Sequence, residues 1–288
     1  MKIIKLFALL SCMTLLTGCV DQSGGSTDDT RIVATSIATS EILDKLEVDS
    51  VVGLPDTQSY DVPERYKDVT TVGSPMAPNM EIVKSLNPTI VLTPNSLEGE
   101  LKPKYDAIGT DSYFLNLKSV DGMYDSIRDL GEMFGKEENA EKLCTEYEEF
   151  KADYTAKHAE HESPRVLVLM GLPGSFVVAT ESSYVGSLLK LAGAENVYGD
   201  GDGQDFLNVN TEDMLEKAPD MIFRTSHAMP EMVEKMFADE FETNDIWKHF
   251  EAVQNGKVYD LSNELFGMSA TFRYPEALEH LQTVLYGN

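Results

Sequence analysis

The chain has 288 residues and a formal net charge of −26, from 49 acidic and 23 basic side chains. This balance argues against binding to nucleic acid or to an anionic membrane surface, because both depend on clustered Lys and Arg. The 42% hydrophobic content is typical of a soluble globular protein, and the length suits two ordinary domains.

Residues 1–18 have the pattern of a signal peptide. Lys2 and Lys5 form a basic start, and a mostly apolar run follows from position 6 to position 16. This run is too short to cross a bilayer comfortably. We therefore exclude the segment from the fold and expect it to be removed.

The sequence Leu16-Thr17-Gly18-Cys19 resembles a bacterial lipobox. The resemblance implies that Cys19 becomes the lipidated N-terminus, with a palmitate-bearing anchor on the extracytoplasmic face of the cell membrane. Residues 19–30, which are rich in Ser, Gly, Thr and Asp, are predicted to be a flexible tether. Cys12 lies in the signal peptide, so Cys144 is left alone and no internal disulfide is expected.

Residues 31–136 are predicted to form an N-terminal α/β lobe. Its predicted strands are 31–35, 51–54, 89–93 and 112–115, and its predicted helices are 36–46, 80–86, 97–107 and one that begins near Ser119. Residues 56–71 are predicted to be loop. Strands that alternate with helices at this spacing indicate a parallel sheet covered by helices.

Residues 137–162 are predicted to be one long helix. The stretch contains no Gly, and its apolar residues recur every three or four positions between many charges. Alternation then resumes in a C-terminal α/β lobe, residues 163–288. Its predicted strands are 165–170, 177–179, 221–224 and 257–261, and its predicted helices are 184–192, 211–217, 231–237 and 275–285. The fold class is thus α/β, with two lobes of mostly parallel sheet joined by one backbone helix.

Segments 79–91 and 210–222 have the same pattern in the two lobes. Each begins with an Asn that suits a helix N-cap, continues with a Glu in the first turn, and ends with a proline and an apolar strand. The two lobes are therefore predicted to be variants of one unit.

Two residues with metal-ligand chemistry lie in predicted loops. Met76 is in a turn with a glycine and two prolines just before a helix, and His227 follows a strand and precedes Pro230. A thioether and an imidazole together suit haem iron. The alternatives are that Met76 packs a lobe interface and that His227 is a polar loop residue.

Four segments carry a family resemblance: GSPMAPN at 73–79, LMGLPGS at 169–175, RTSHAMPE at 224–231 and NDIWKHF at 244–250. With them, residues 31–288 resemble the extracytoplasmic substrate-binding lipoproteins of ABC importers for iron chelates, haem and cobalamin. Among these, the chain looks most like the haem-receptor lipoproteins of the iron-regulated surface determinant system. The resemblance implies a helical-backbone metal receptor that carries haem for iron acquisition and is not an enzyme.

In that family one Met and one His ligate the haem iron from opposite lobes, and the matching residues are Met76 and His227. The resemblance also implies a monomer that docks on an ABC permease, with cell-surface haem-transfer proteins upstream. Glu81 and Glu212 are the expected permease contacts, although a Glu in the first turn also compensates a helix dipole. For the haem propionates we expect the backbone amides of Ile37 and Ala38 at a helix N-terminus.

Tyr60 is expected to add a hydroxyl donor to a propionate, unless it is a solvated loop tyrosine. Two other functions stay open at this point. A receptor for an iron–siderophore complex would need a basic or aromatic cleft and no Met76. An extracytoplasmic metal-dependent reductase or oxygenase would need an open coordination position, which two protein ligands would fill.

Overall fold

The computed structural model describes residues 30–57, 61–158, 162–208 and 210–287. The predicted signal peptide, Cys19, nearly all of the tether and Tyr60 lie outside these ranges. Across these ranges, no helix has both the length and the apolar character needed to cross a membrane.

The first lobe is built on a five-stranded parallel sheet with the order β3-β2-β1-β6-β7. Its strands are β1 (Ile32–Ala34), β2 (Val51–Leu54), β3 (Thr70–Thr71), β4 (Gly73–Ser74), β5 (Ala77–Pro78), β6 (Ile90–Pro94) and β7 (Asp111–Leu115). Its helices are α1 (Ile37–Lys45), α2 (Met80–Ser85), α3 (Glu98–Ile108) and α4 (Val120–Phe134). β4 and β5 form a separate antiparallel hairpin.

The predicted loop over 56–71 is partly wrong, because it contains a 3-10 turn at Glu64–Tyr66 and the edge strand β3. Tyr66 is buried and its hydroxyl donates to the carbonyl of Val48 at 2.6 Å. The turn has three residues and β3 has two, so neither is long enough to show a hydrophobic period in the sequence.

A single long helix, α5 (Glu137–His158), follows the first lobe. Gly135 ends α4 in a left-handed conformation, with φ 65°, that favours glycine. The buried residues of α5 are Ala140, Cys144 and Tyr147, so the one cysteine of the described chain belongs to the core. Most of the remaining surface of the helix is exposed, as its many charges predict.

The second lobe is built on a mixed sheet with the order β11-β9-β8-β12-β13, and β10 also pairs with β8. Its strands are β8 (Arg165–Leu172), β9 (Ser175–Ala179), β10 (Glu195–Asn196), β11 (Phe206–Leu207), β12 (Met221–Ser226) and β13 (Val258–Asp260). Its helices are α6 (Tyr184–Leu191), α7 (Thr211–Glu216), α8 (Pro230–Thr243), α9 (Glu251–Gln254) and α10 (Tyr274–Tyr286). The pairs of β8 with β10 and β12, and of β12 with β13, are parallel. The mostly parallel sheets are thereby confirmed, and the exception is β9, which runs antiparallel to both of its neighbours, β8 and β11.

One hydrophobic core runs through both lobes and the long helix. Tyr124 of α4 stacks on Tyr147 of α5 with ring centroids 4.2 Å apart. Tyr274 of α10 meets both rings edge-on, at 6.2 Å and 5.6 Å. Offset and edge-on ring pairs stabilise such contacts beyond the area that they bury.

The connections that follow β7 and β13 also meet. The amide of Ala270 donates to the carbonyl of Leu117 at 2.8 Å. Beside it, Lys118 of the first lobe pairs with Asp205 of the second at 2.8 Å. Since both connections leave the carboxyl ends of parallel strands, these contacts bring the carboxyl edges of the two sheets together.

The repeated unit predicted from the sequence is present in both lobes. Asn79 caps α2 and Asn210 caps α7, each through its side-chain oxygen. Asn87 and Ala218 both adopt a left-handed backbone, at φ 49° and 47°, directly before the two prolines. Even the strand entry matches, because the amides of Arg31 and Arg165 donate to the side chains of Thr89 and Asp220 respectively.

Candidate functional site

The carboxyl edges of the two sheets carry the predicted site residues of the described chain. His227 directly follows β12, the N-terminus of α1 follows β1, and the hairpin that bears Met76 follows β3. Ligands of open α/β sheets bind beyond the carboxyl ends of the strands. The topology alone therefore places these groups where a ligand is expected.

Met76 lies at the tip of the β4–β5 hairpin. Ser74 pairs with Ala77, so that Pro75 and Met76 are the two turn residues, and the Met76 side chain is 50% exposed. The hairpin is held at its base, where the Asn79 amide donates to the carbonyl of Val72 at 2.7 Å. Gly73 has φ 96°, which a residue with a Cβ rarely adopts. A thioether is thus displayed to solvent rather than packed in a core.

His227 is held by its backbone at the end of the central strand pair. Its amide donates to the carbonyl of Gly171 in β8 at 3.0 Å. The ring is half-buried, and Nδ1 is fully buried without a hydrogen-bond partner among the described residues. Burial lowers the pKa of His227 below its ordinary value. The imidazole is therefore neutral at neutral pH, which is the form that binds a metal.

The strand before His227 is fixed by an aromatic and ionic support. Arg224 donates to Asp260 through two nitrogens, at 2.7 Å and 2.5 Å. Its guanidinium also lies over the rings of Phe237 and Phe241 in α8, at 5.5 Å and 4.8 Å. Paired ionic contacts and stacking together favour one side-chain geometry. β12 therefore enters the site as a rigid element.

Gly171 lets α8 approach the sheet at this point. A Cβ at Gly171 would lie 2.2 Å from Cγ1 of Val233 and 2.8 Å from the ring of Phe237. Only a glycine allows this spacing without displacing the helix. Because the amide of His227 is bonded to the carbonyl of the same glycine, the start of α8 is fixed next to the candidate ligand.

The N-terminus of α1 supplies the predicted amide donors. Ser36 caps the helix, since its Oγ accepts from the amide of Thr39 at 3.1 Å and its carbonyl accepts from Ser40 at 3.1 Å. The amides of Ile37 and Ala38 are among the first four N–H donors of the helix, which have no intrahelical acceptor. The positive end of the helix dipole favours an anion there.

The basic side chains near this edge are already paired. Lys118 is paired with Asp205 at 2.8 Å, and Arg273 is paired with Glu276 at 2.8 Å and with Glu264 at 3.5 Å. Anionic groups of a ligand would therefore meet backbone amides rather than free cations. This distribution fits a ligand with a small anionic part.

Glu81 and Glu212 are both exposed, in the first turns of α2 and α7. Neither forms an ion pair with another described residue within 4.0 Å. Both helices begin at the carboxyl edge, so the two carboxylates lie on the same side of the molecule as the candidate ligands. Tyr60 and Cys19 fall outside the described residues, and their predicted roles stay predictions.

The structure does not place Met76 and His227 in direct contact. A cavity of about 780 Å³ lies elsewhere, between α5 and α10, and neither candidate ligand lines it. Phe266, in the connection that follows β13, is fully buried and belongs to the core. Phe176 packs against Phe237 with ring centroids 5.7 Å apart.

Comparison with known proteins identifies the family of this chain. The sequence pattern of the periplasmic binding protein family matches residues 32–265. The chain belongs to the periplasmic binding protein family. It is 43% identical, over 99% of both chains, to the high-affinity heme uptake system protein IsdE of Staphylococcus aureus.

Two solved structures are similar to this member of the periplasmic binding protein family. The crystal structure of S. aureus IsdE complexed with heme has a TM-score of 0.84 and 43% identity, covering 90% of this chain and 99% of that one. An ABC transporter substrate-binding protein from Listeria monocytogenes EGD-e has a TM-score of 0.84 and 44% identity, with the same coverage. Both confirm the two-lobed α/β fold.

Two residues near His227, Arg224 and Met229, were not identified from the sequence as part of the candidate site. Arg224 gave no signal, because its partner Asp260 is 36 positions away and a pairing across strands has no local pattern. Met229, in contrast, can be recognised in the sequence. Pro230 at the first position of α8 makes Met229 the N-cap, where Ser, Thr, Asp or Asn is favoured over an apolar residue.

Proposed function

We propose that this protein is the haem-binding substrate-binding protein of an ABC uptake system, and that Met76 and His227 ligate the iron from opposite lobes. One observation carries the proposal. A half-buried imidazole follows β12 at the carboxyl edge of one sheet, and an exposed thioether lies on the hairpin that follows β3 of the other sheet. This pair belongs to a chain that is 43% identical along its length to a heme uptake protein.

The chemistry of the two side chains supports haem as the transported ligand. Imidazole and thioether are both axial ligands of haem iron, and together they raise its reduction potential. One ligand from each lobe lets the macrocycle bridge the space between them. The amides of Ile37 and Ala38, and the hydroxyl of Tyr60, are the proposed donors to the propionates.

The arrangement of the chain supports the proposed division into parts. We propose residues 31–136 and 163–288 as the two lobes and residues 137–162 as the linking helix. We further propose that residues 1–18 are removed, that Cys19 carries the lipid, and that residues 19–30 hold the lobes away from the membrane. The receptor then acts on the extracytoplasmic side, where its ligand arrives.

A substrate-binding protein of an ABC importer implies a permease as partner. We propose that Glu81 and Glu212 contact it, since both are exposed and lie at matching positions of the repeated unit. Cell-surface proteins that pass haem on are the proposed donors, and the receptor is proposed to act as a monomer. Its role is binding and delivery rather than catalysis.

An iron–siderophore receptor on the same scaffold is supported less well. Lys118 and Arg273, two described basic residues in the connections that follow β7 and β13, are paired with carboxylates rather than free to bind an anionic chelate. An oxygenase or reductase is also supported less well, because two protein ligands fill both axial positions of haem iron.

The test is an optical titration of residues 19–288 with haemin, in the parent and in Met76→Ala and His227→Ala. We expect the parent to saturate at one equivalent with a low-spin, six-coordinate spectrum, and each variant to change that spectrum. Met133→Ala, an exposed methionine in the last turn of α4, is the control and should titrate as the parent does. A parent without a saturable Soret shift would overturn the proposed function.

A further inference from the structure

Met229 combines a strained backbone with an exposed side chain. It is the N-cap of α8, at φ 53° and ψ 56°, and its side chain makes no capping hydrogen bond. A left-handed conformation is unfavourable for an L-residue, because Cβ comes too close to the following carbonyl oxygen. Asn or Gly would reduce this cost, and Ser, Thr, Asp or Asn would cap the helix better.

This strain differs from that of the other non-glycine residues with positive φ in the described chain. Glu47, Asn87 and Ala218 follow the C-termini of α1, α2 and α7, where a left-handed residue closes a helix. Asp202 lies inside a 3-10 turn. Met229 instead begins a helix, and its carbonyl accepts from the amides of Met232 and Val233. An N-cap residue ordinarily has an extended backbone, so the start of α8 does not require the left-handed conformation. Strain that the helix start does not require is a reason to look for a functional one.

The Met229 side chain is also largely exposed. It is 54% exposed, more than Met76 at 50% or Met232 at 49%. An exposed thioether gains little from burial, so its volume alone does not account for methionine at this position. What remains distinctive is the sulfur, a soft donor that haem iron accepts.

The position of Met229 is fixed relative to His227. The amide of His227 is bonded to the carbonyl of Gly171, and α8 packs directly on Gly171 from the other side. Pro230 fixes the direction in which the helix leaves. Met229 is therefore two residues beyond His227, on the same lobe and at the same sheet edge. Both would approach the same face of a bound haem, opposite to Met76.

We infer that Met229 is an alternate iron ligand that replaces His227 during haem entry and release; this inference rests on the proposed function. In the exchange the bond from iron to the imidazole nitrogen breaks and a bond from iron to Sδ of Met229 forms. Each donor keeps its own lone pair, and neither an electron nor a proton moves. Three rotatable bonds give the methionine the reach that the backbone-held histidine lacks.

The test removes the histidine and asks which group takes its place. Haemin complexes of His227→Ala, His227→Ala/Met229→Leu and His227→Ala/Met232→Leu are compared by optical and magnetic circular dichroism spectroscopy. We expect His227→Ala to stay largely low-spin with thioether charge-transfer bands, through Met76 and Met229. The Met229→Leu double variant should become five-coordinate and high-spin, and the Met232→Leu double variant should match His227→Ala.

The outcomes separate the two proposals. If the parent binds no haemin, the proposed function fails. If the parent binds haemin but the spectra of His227→Ala and His227→Ala/Met229→Leu coincide, the proposed function stands and the role of Met229 is overturned. Leu keeps the volume and most of the backbone preference of Met, and the denaturant midpoint of each variant shows that the fold is intact.

Discussion

The two candidate ligands are supported in different ways. Met76 lies on a two-residue turn that projects from the sheet, and only the base of its hairpin is bonded to the lobe. His227 continues a strand that is paired on both sides and braced by Arg224 and α8. One side chain is displayed and the other is embedded. We infer that His227 defines the position of the iron and that Met76 adjusts to it.

The difference between the supports of Met76 and His227 does not come from the repeated unit, which is common to both lobes. When Asn79 is aligned with Asn210 and Pro88 with Pro219, Ser96 is the equivalent of His227 and Leu207 is the equivalent of Met76. Each lobe therefore carries its ligand at a position where the other has none. The repeated unit positions the two sheet edges, whereas each candidate ligand occurs in one lobe only.

The largest expected effect tests whether His227 is embedded. Phe237 is 1% exposed, contacts Phe176 and lies under the guanidinium of Arg224. We expect Phe237→Ala to lower the free energy of unfolding by about 3–5 kcal/mol, because it leaves a cavity in the core. Met76→Ala should change it by less than about 0.5 kcal/mol. If Phe237→Ala and Met76→Ala lost equal amounts of unfolding free energy in urea, the two candidate ligands would not differ in support.

The next effect concerns the caps that the lobes share. Asn79 accepts from the amides of Glu81 and Ile82 at 3.0 Å and 3.2 Å, and Asn210 accepts from Asp213 at 2.8 Å. Replacing either by Ala should cost about 1 kcal/mol of unfolding free energy. The two losses should add in the double variant, since the sites share no partner. A double variant that departs from the sum would show that the units are coupled.

A smaller effect, which raises the free energy of unfolding, is expected at the two left-handed residues that precede the prolines. Ala218 has φ 47° and lacks the local hydrogen bonds that help Asn in this region, whereas Asn87 has φ 49°. Ala218→Gly should raise the free energy of unfolding by about 0.5–1 kcal/mol, after the entropy cost of glycine is subtracted. Asn87→Gly should raise it less. The thermal midpoints of the two variants, measured side by side, decide the order.

The smallest effect on the isolated protein is expected at the two glutamates. Glu81→Gln and Glu212→Gln should leave the free energy of unfolding within about 0.5 kcal/mol, because both side chains are exposed. Haemin binding should also stay unchanged. Uptake by vesicles that contain the permease should fall in each variant, and further in the double variant. Full uptake by the double variant would remove these residues from the docking surface.

The sequence predicted the fold well where residues recur with a period. Strands 51–54 and 177–179 and the helices of the repeated unit follow from apolar runs, caps and prolines, and the structure has them within a few residues. The edge strand β3 and the 3-10 turn before it were missed, since two or three residues carry no period. The helix predicted over 231–237 continues to Thr243, where Phe241 stacks on Trp247 with centroids 4.1 Å apart.

The candidate site was predictable in its loops but not in its surroundings. Met76 and His227 were identified from motif and residue chemistry, and the structure places both at sheet edges. The ion pair of Arg224 with Asp260 and the close approach at Gly171 could not be predicted, because both depend on which strands are neighbours. The exposure of Met229 depends on how α8 packs, which the sequence shows only through its unusual cap.

The shared core has a consequence for how the protein melts. Each lobe has a smaller core cluster of its own, but Tyr124, Tyr147 and Tyr274 belong to the large cluster that joins both lobes and the long helix, so a large part of each interior is shared. We therefore expect one cooperative calorimetric transition rather than two. A ligand that touches any part of the folded chain then protects all of it from proteolysis, since only global opening exposes the cleavage sites of the core.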